Sequence, residues 1–449
     1  MKLGVYLEFS YVRPTDELIQ ELSGCKAISD YFKLTLINSE QIQKFGADLM
    51  EAKRSDSQQF FLLAIMAIAG GITVANLYYN QPLLTLIAKD FNTSASAVSL
   101  IPTLTQVGYA LGILLLVPMG DLLERRRLIV IMMGLTAVAL ALAAVSPSLT
   151  WLVVASLAIG VTTIAAQVIV PFATQLVKPH KRGKAVGTMM SGLLIGILLA
   201  RTVSGFVGAS LGWRAMYWIA SGLMLMLAVV MAKVLPLSQP SLQTSYIRLM
   251  RSLIHLMQTQ PRLQQASLIG AMTFGAFSAF WSTLAFLLEQ PPYHYGSDVV
   301  GLFGLVGVVG AAAAPVAGRF ADRRSPRLTL GFGIVTTAFS FILFWTLGYQ
   351  IWGLVVGVIL LDLGVQVTQI SNQTSIYKLP KEIHSRLNAV YVTFYFVGGA
   401  LGSFLGAYGW SHWGWAGVCG LSLGLMAIAT IYFFKNRGDS QRPIEQDSD

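Results

Sequence analysis

A chain of 449 residues that is 55% hydrophobic and only 12% charged is too apolar for a soluble enzyme or binding domain, because soluble domains carry about 25% charged residues. Its net charge of +10 could indicate nucleic-acid binding, but the basic residues lie in short segments between long apolar runs. That placement is typical of the loops of a multi-pass membrane protein and excludes nucleic acid as a partner.

Residues 1–59 differ in kind from the rest, since they mix acidic and basic side chains and contain no charge-free apolar run as long as the core of a signal peptide. We predict a polar cytoplasmic N-terminal extension. An upstream start codon that adds non-native residues is the alternative interpretation.

Twelve apolar runs follow, each long enough for a helix that crosses a bilayer, which needs about 20 residues. They lie at roughly 60–88, 96–118, 128–147, 151–175, 186–209 and 215–236, and then at 267–288, 298–320, 328–348, 351–373, 388–409 and 413–434. The sequence therefore predicts an all-α membrane protein with an N-terminal six-helix bundle at 60–236, a cytoplasmic linker at 237–265, a C-terminal six-helix bundle at 266–435 and a cytoplasmic tail at 436–449.

The loops between these runs alternate in charge. One set is rich in Lys and Arg, while the other has few basic residues, with Lys89 and Arg214 as exceptions. Because basic loops stay in the cytoplasm, both termini are predicted to be cytoplasmic. The alternation also supports an even number of helices.

A charged motif occurs twice between apolar runs. It runs from Gly120 to Leu128 and returns 198 residues later, from Gly318 to Arg327, each time as Gly, three residues, an acid and a run of Arg. A repeat at about half the chain length indicates a duplicated bundle.

This motif resembles the loop of the major facilitator superfamily that lies between helices 2 and 3 and recurs between helices 8 and 9. The resemblance covers about residues 60–435 and implies the superfamily fold, with two pseudo-symmetric six-helix bundles. It also implies that the loop latches the two halves in one conformation. The gating residues would be Gly120, Glu124 and Arg125, with Gly318, Asp322 and Arg323 in the second copy.

Polar groups inside a membrane are costly and therefore mark candidate sites. Predicted helix 10 has the densest set, which falls on one helical face: Asp362, Gln366, Gln369 and Gln373. Asp362 can change its protonation state, and Arg201 in helix 5 is the other intramembrane charge. We predict these two as the proton-coupling residues. A structural network that joins helix 10 to a neighbour is the alternative for the glutamines.

Other polar or aromatic residues are candidates to line the same site: Asn76, Tyr79, Asn80, Gln167, Trp281 and Tyr391. Asn76, Tyr79 and Asn80 share a face of predicted helix 1, and Pro171 is expected to kink helix 4. An interfacial aromatic belt is the alternative for the tyrosines of helix 1, and plain packing is the alternative for Trp281.

Enzyme motifs are missing from the sequence. It has no phosphate-binding G-x-x-x-x-G-K-[ST] loop, no H-E-x-x-H and no C-x-x-C, and its five His and two Cys show no metal-site spacing. We therefore expect no enzymatic activity, no cofactor and no bound metal.

Three further segments resemble bacterial permeases grouped with sugar and drug efflux carriers: 75–84, 370–373, and 386–391 with the glycine pair at 398–399. The resemblance implies efflux of a small organic molecule, sugar or drug-like, by alternating access. We expect the proton gradient to drive it, because the sequence has no nucleotide site and Asp362 can change its protonation state. The Gly-Pro pair that antiporters often carry in helix 5 is replaced by Ala200 and Arg201.

Alternatives from the same fold and from other classes remain. They are a symporter that imports a sugar or an organic acid, a non-transporting receptor or scaffold that uses residues 1–59, and a channel. The expected partners are the substrate, a proton and the lipid bilayer. The expected state is a monomer in the bacterial inner membrane.

Overall fold

The computed structural model describes residues 59–238, 245–322, 326–380 and 383–435, with the side chains of 313–322 and 326 outside that description. The predicted N-terminal extension, apart from Gln59, and the predicted tail lie outside the described residues, as does Arg323 of the second charged motif. The compact unit that carries the transmembrane helices begins at Leu62.

Long helices make up the first half of this unit, and we number them by span. They are α1 (Gln59–Ala75, resumed at Leu84–Asp90), α2 (Leu100–Leu116, preceded by Ala95–Val98), α3 (Arg125–Ala144), α4 (Leu149–Thr162 and Ala165–Gln175), α5 (Arg182–Leu211) and α6 (Trp213–Val234).

The second half repeats this plan after a linker helix at Tyr246–Thr259. Its spans are α7 (Pro261–Glu289), α8 (Ser297–Asp322), α9 (Pro326–Leu347) and α10 (Ile351–Ile376), followed by α11 and α12, which share the helix His384–Lys435. The φ and ψ angles of that helix leave the helical region at Gly414 (60° and −147°), so α11 covers 384–413 and α12 covers 415–435.

Within the described part of the chain, nine helices are long and apolar enough to cross a membrane, and one of these, His384–Lys435, has 52 residues and makes two spans. Two shorter apolar helices, Gln59–Ala75 and Ser297–Ala312, begin α1 and α8. The predicted twelve-span architecture is confirmed.

The two halves pack in the same pattern. In the first half α2 packs on α4 and α3 on α6, while in the second half α8 packs on α10 and α9 on the helix that contains α12. Close backbone contacts also correspond, because Gly196 of α5 lies against Gly71 of α1 as Gly402 of α11 lies against Gly275 of α7. Each half is thus a six-helix bundle, and the two bundles are pseudo-symmetric.

Helix α1 is not the continuous helix that the sequence predicts. A turn occupies 76–80 and a short 3₁₀ helix follows at Gln81–Leu83, so Asn76, Tyr79 and Asn80 do not share one face of a regular helix. Pro82 has no backbone N–H to donate, and the Asn76 amide donates to the carbonyl of Thr73 at 2.9 Å, which competes with the helical pattern.

Helix α4 is interrupted at residues 163–164 rather than at Pro171, which lies inside the segment Ala165–Gln175. The Thr163 hydroxyl donates to the carbonyl of Ile159 at 2.6 Å, and the last turn before the break is closed by backbone bonds to the carbonyls of Ile159 and Gly160. The predicted kink at Pro171 stays a prediction, and the break at 163–164 is a separate interruption that the sequence did not indicate.

The two bundles meet along two seams. We call the contact of α5 with α8, together with the part of α10 that packs on α8, the charged seam, because it holds Arg201 and Asp362. We call the contact of α2 with α7 and α11 the neutral seam, because it holds Gln106, Ser278, Ser282 and Ser403.

Candidate substrate and proton site

Arg201 is the central charge of the charged seam. It lies in α5 and is fully buried at 0% exposure. Its Nε donates to Oε1 of Gln81 at 2.7 Å, in the 3₁₀ helix that interrupts α1. The break in α1 therefore has a consequence for the site, since it places an amide oxygen on a guanidinium from another span.

Aromatic rings surround the Arg201 guanidinium. Its central carbon lies 3.9 Å from the ring centre of Trp281, 5.0 Å from that of Tyr78 and 5.5 Å from that of Phe277. The negative faces of aromatic rings attract a cation without neutralising it. This arrangement explains how a full positive charge stays buried here, and it shows that the predicted site residue Trp281 contacts Arg201 directly.

The terminal nitrogens of Arg201 remain unused. Nη1 and Nη2 have no hydrogen-bond acceptor among the described residues, and neither has Nε1 of Trp281. A buried guanidinium normally has its N–H groups paired, so a fork with both ends free is a feature that needs a functional reason.

Asp362 lies on α10, which packs against α8 as α5 does. It is 4% exposed, its Oδ2 has no donor among the described residues, and it interacts electrostatically with Arg201. The two groups do not form an ion pair within 4.0 Å. The sequence predicted both charges, and the structure brings them to the same seam without joining them.

Glycines of α8 make this proximity possible. A Cβ on Gly304 would lie 3.0 Å from Cβ of Arg201, and a Cβ on Gly307 would lie 3.0 Å from Oδ2 of Asp362. These glycines are three residues apart, which is about one helical turn. Both charges therefore lie against the same narrow stripe of α8, where any side chain would push them away.

The predicted residues of helix 1 lie buried beside this site. Asn76 and Asn80 are each 2% exposed, and each has an Oδ1 without a partner among the described residues. The backbone carbonyl of Tyr79 accepts a hydrogen bond from the Ser204 hydroxyl, which fixes the turn of α1 to α5. These contacts make Tyr79 a structural residue as well as a candidate lining residue.

The other predicted lining residues lie on separate elements. Gln167 of α4 donates to the Tyr109 hydroxyl at 3.1 Å, and Tyr391 of α11 is fully buried with its hydroxyl next to Asn372 of α10. Gln366, Gln369 and Gln373 of α10 are half-buried and make no side-chain hydrogen bond to a described residue. The structure therefore does not gather all the predicted residues around Arg201.

Gln106 and Ser403 of the neutral seam were not anticipated from the sequence. Gln106 of α2 donates from Nε2 to the Ser403 hydroxyl at 3.0 Å and accepts from Ser278 at 3.3 Å, and Ser282 donates to Ser403 at 2.9 Å. Gln106 and Ser403 are buried and every polar group of this cluster has a partner. A polar residue inside an apolar run was the available signal, and the same signal would have found Gln81.

The first charged motif forms a compact hydrogen-bonded cluster between α2 and α3. Arg125 is 6% exposed, and its side chain donates to the Gly120 carbonyl at 3.0 Å, to Asp121 at 2.8 Å and to Gln175 of α4. Glu124 caps α3 by accepting from the backbone N–H of Arg127 at 3.2 Å. Gly318 and Asp322 lie at the end of α8, and their side chains are outside the described part.

The two bundles are also joined at the end opposite the first charged motif, which we call the Lys89 end. There Lys89 of α1 forms an ion pair with Glu289 of α7. A cavity of about 270 Å³ lies beside it, lined by residues of α1, α7 and the ends of α2 and α11. The seam is closed at this end, because a Cβ on Gly205 of α5 would lie 2.9 Å from the Gly301 Cα of α8.

This geometry agrees with comparisons to known proteins. The family model for the Major Facilitator Superfamily matches residues 66–378 and 266–448. The transporter YgaY of Escherichia coli O157:H7 is 44% identical over 358 residues, which are 80% of this chain and 91% of that protein. A Streptomyces coelicolor protein named as a transporter is 32% identical over 361 residues, 80% of this chain and 84% of that protein.

More distant matches point the same way. A Helicobacter acinonychis protein named as a sugar efflux transporter is 23% identical over 357 residues, 78% of this chain and 89% of that protein. The crystal structure of a bacterial homolog of the human lysosomal transporter Spinster, inward-facing and unoccupied, superposes with a TM-score of 0.69 at 13% identity, over 84% of this chain and 96% of that one. At this identity the likeness shows the fold alone.

Two pseudo-symmetric six-helix bundles, a buried charge pair between them and these relatives lead to one conclusion: the chain belongs to the Major Facilitator Superfamily and is a multi-pass membrane transporter of that type.

Proposed function

We propose that the protein is a secondary transporter that carries out proton-coupled efflux of a small organic molecule, sugar or drug-like, by alternating access. Asp362 takes up and releases the proton, and Arg201 is its charge partner. The observation that carries this proposal is the buried pair itself, in which a carboxylate and a guanidinium face the same stripe of α8 without forming an ion pair. Such a carboxylate can exchange its proton while the cation stays fixed.

Alternating access is supported by where the bundles touch. The described state is held at the Lys89 end by the Lys89–Glu289 ion pair and by the glycine contact of α5 with α8. A transport cycle would separate the bundles at this end and bring them together at the opposite end, which holds the first charged motif and which we call the Arg125 end. There the hydrogen-bonded cluster around Arg125, with Gly120 and Glu124, would latch the two bundles in one conformation.

Placement in the membrane follows from loop charge. The Arg125 end carries the basic loops, so we place it, together with both termini, in the cytoplasm of a bacterial cell whose inner membrane holds the protein as a monomer. Efflux is the direction that the name of the Helicobacter relative supports. The bundle bounds of 60–236 and 266–435 belong to the same proposal.

The test uses proteoliposomes with an imposed pH gradient and a panel of sugars and organic acids. A transported compound should dissipate the gradient with wild type and not with Asp362→Asn, while Asp362→Glu, which keeps the acid, should retain part of the effect. Asp298→Asn is the matched control, because it removes a half-buried acid at the start of α8.

Two outcomes would contradict the proposal. Gradient dissipation that persists in folded Asp362→Asn would move coupling to another acid, such as Glu289 or Glu124. A compound that binds without any flux would favour the receptor interpretation.

A second candidate is the symport of an organic acid or a sugar with a proton. The unpaired fork of Arg201 favours an organic acid, because such a fork binds a carboxylate through two parallel hydrogen bonds. Uptake assays in vesicles of defined orientation, which report the direction in which the substrate moves, separate the two candidates.

A further inference from the structure

We propose that the substrates carry a carboxylate, that this group binds the free fork of Arg201, and that the anion and a proton on Asp362 occupy the protein together. This proposal rests on the assignment of Asp362 as the proton site and adds the substrate class and the sense of coupling.

The chemical class of the ligand is inferred from which nitrogens of the Arg201 guanidinium already have a hydrogen-bond partner. Trp281, Tyr78 and Phe277 lie around its faces, and Gln81 occupies the Nε edge. Only Nη1 and Nη2 remain, side by side and fully buried. A planar carboxylate accepts two parallel hydrogen bonds from these two nitrogens, whereas a hydroxyl or an ammonium cannot.

The surrounding groups refine this class. Nε1 of Trp281 is another donor without an acceptor among the described residues, and the Trp281 ring contacts the guanidinium. The rings of Tyr78 and Phe277 supply apolar surface next to the fork. A small acid with an apolar or aromatic body fits this set of contacts better than a polyhydroxylated sugar does.

The sum of the buried charges indicates whether a proton binds together with the anion or is displaced by it. Without ligand, the positive Arg201 and the negative Asp362 sum to zero in the buried seam. An anion on Arg201 adds a negative charge beside Asp362, and a proton from solution on a carboxylate oxygen of Asp362 restores the sum to zero. A state with only the anion bound, or with only the proton bound, carries one uncompensated buried charge and is therefore unfavourable. Anion binding and protonation therefore favour each other, and by the same factor.

Other titratable groups that face this pair leave the count unchanged. Tyr78 of α1 faces Arg201, and Tyr395 of α11 interacts with Asp362, but a phenol stays neutral at physiological pH. Gly304 and Gly307 of α8, which lie against the pair, carry no titratable side chain. The anion and the proton thus cross the membrane together as an electroneutral unit. This unit leaves the cell whenever the outward gradient of the anion exceeds the inward gradient of the proton.

The experiment measures binding and proton movement with purified protein in weakly buffered detergent. The probes are a series of monocarboxylates from acetate through benzoate to 2-naphthoate, each paired with its neutral primary amide. At least one acid should bind about tenfold or more tightly than its amide, with uptake of about one proton for each anion bound. No preference for any acid, including no binding at all, would overturn the proposal.

Variants separate the two parts of the inference. Gln81→Glu places a carboxylate next to Nε of Arg201, so it should weaken acid binding about tenfold or more without lowering the melting temperature. Arg201→Lys should also weaken binding, because an ammonium lacks the fork. Arg214→Lys is the matched control, at an exposed arginine paired with Asp90.

Asp362→Asn distinguishes this inference from the proposed function. It should bind the acid at least as tightly as wild type, because the competing carboxylate is gone, but without proton uptake. Tight acid binding with proton release in wild type would overturn the coupling sense. Proton movement that depends on Asp362 but accompanies only neutral probes would overturn the substrate class and leave the proposed function standing.

Discussion

The charged seam and the neutral seam join the same two bundles, yet they treat buried polar groups in opposite ways. In the neutral seam Gln106, Ser278, Ser282 and Ser403 satisfy one another across α2, α7 and α11. In the charged seam Arg201 and Asp362 keep unpaired atoms while they lie on the same stripe of α8. A satisfied cluster stabilises a contact, whereas an unsatisfied one is available to a ligand or a proton.

The charge pair provides the largest expected effect. Asp362→Asn leaves the Arg201 charge buried without a nearby carboxylate, so the free energy of unfolding should fall by about 3 kcal/mol or more. The double variant Arg201→Met with Asp362→Asn should recover most of that loss, because neither charge remains. Thermal denaturation in detergent measures both. A double variant no more stable than the single one would mean that the two charges do not compensate each other.

The glycine contact of the charged seam should give the next largest effect. Gly205→Ala would place a methyl group against the Ser297 carbonyl oxygen and 2.9 Å from the Cα of Gly301. Overpacking of this kind costs about 2 kcal/mol, here in the state closed at the Lys89 end, and transport should slow as that state is lost. Gly222→Ala, where a Cβ would meet no atom within 4 Å, is the matched control. Equal behaviour of the two variants would show that the seam is not tightly packed.

Substitution in the neutral seam should change the stability of the protein but not its proton coupling. Gln106→Leu leaves the hydroxyls of Ser278 and Ser403 with one partner fewer, at a cost of about 1 to 2 kcal/mol in the free energy of unfolding. The number of protons moved per substrate should not change. Gln258→Leu, at an exposed position of the linker helix, controls for the substitution itself. Loss of proton coupling in Gln106→Leu would remove the distinction between the two seams.

The ion pair at the Lys89 end should matter least. The Lys89 side chain is 68% exposed and that of Glu289 is 33% exposed, so the pair is worth less than about 1 kcal/mol and is screened by salt. Lys89→Gln should change transport less than about fivefold, and only at low ionic strength. Asp90→Asn breaks the Arg214–Asp90 pair within one bundle at the same end and should have no effect on opening. A large effect of Lys89→Gln at high salt would mean that the pair is a principal gate.

Much of the architecture follows from local pattern. The apolar runs, the alternation of basic loops and the repeated motif around Gly120 predict twelve spans in two bundles, because each of these signals depends on the bilayer and on neighbours in sequence. The identity of the two intramembrane charges is also visible locally, since Asp362 and Arg201 interrupt long apolar runs.

The interruptions of the helices were harder to predict. The break in α1 at 76–80 depends on side-chain bonds to backbone carbonyls and on the docking of the turn by Ser204 of α5, and the break in α4 lies away from its proline. Apolar periodicity does not contain this information, because a broken and a continuous helix expose the same composition to lipid.

Local signals along the chain are sufficient to predict twelve membrane spans, in two similar halves with one acid and one arginine inside. Those signals do not show that Gln81 occupies one edge of Arg201, that three aromatic rings surround its guanidinium, or that glycines of α8 bring Asp362 close without an ion pair. Insertion depends on summed hydropathy along each segment, whereas the pairing of a buried charge depends on atoms that α1, α5, α7, α8 and α10 bring together from distant parts of the chain.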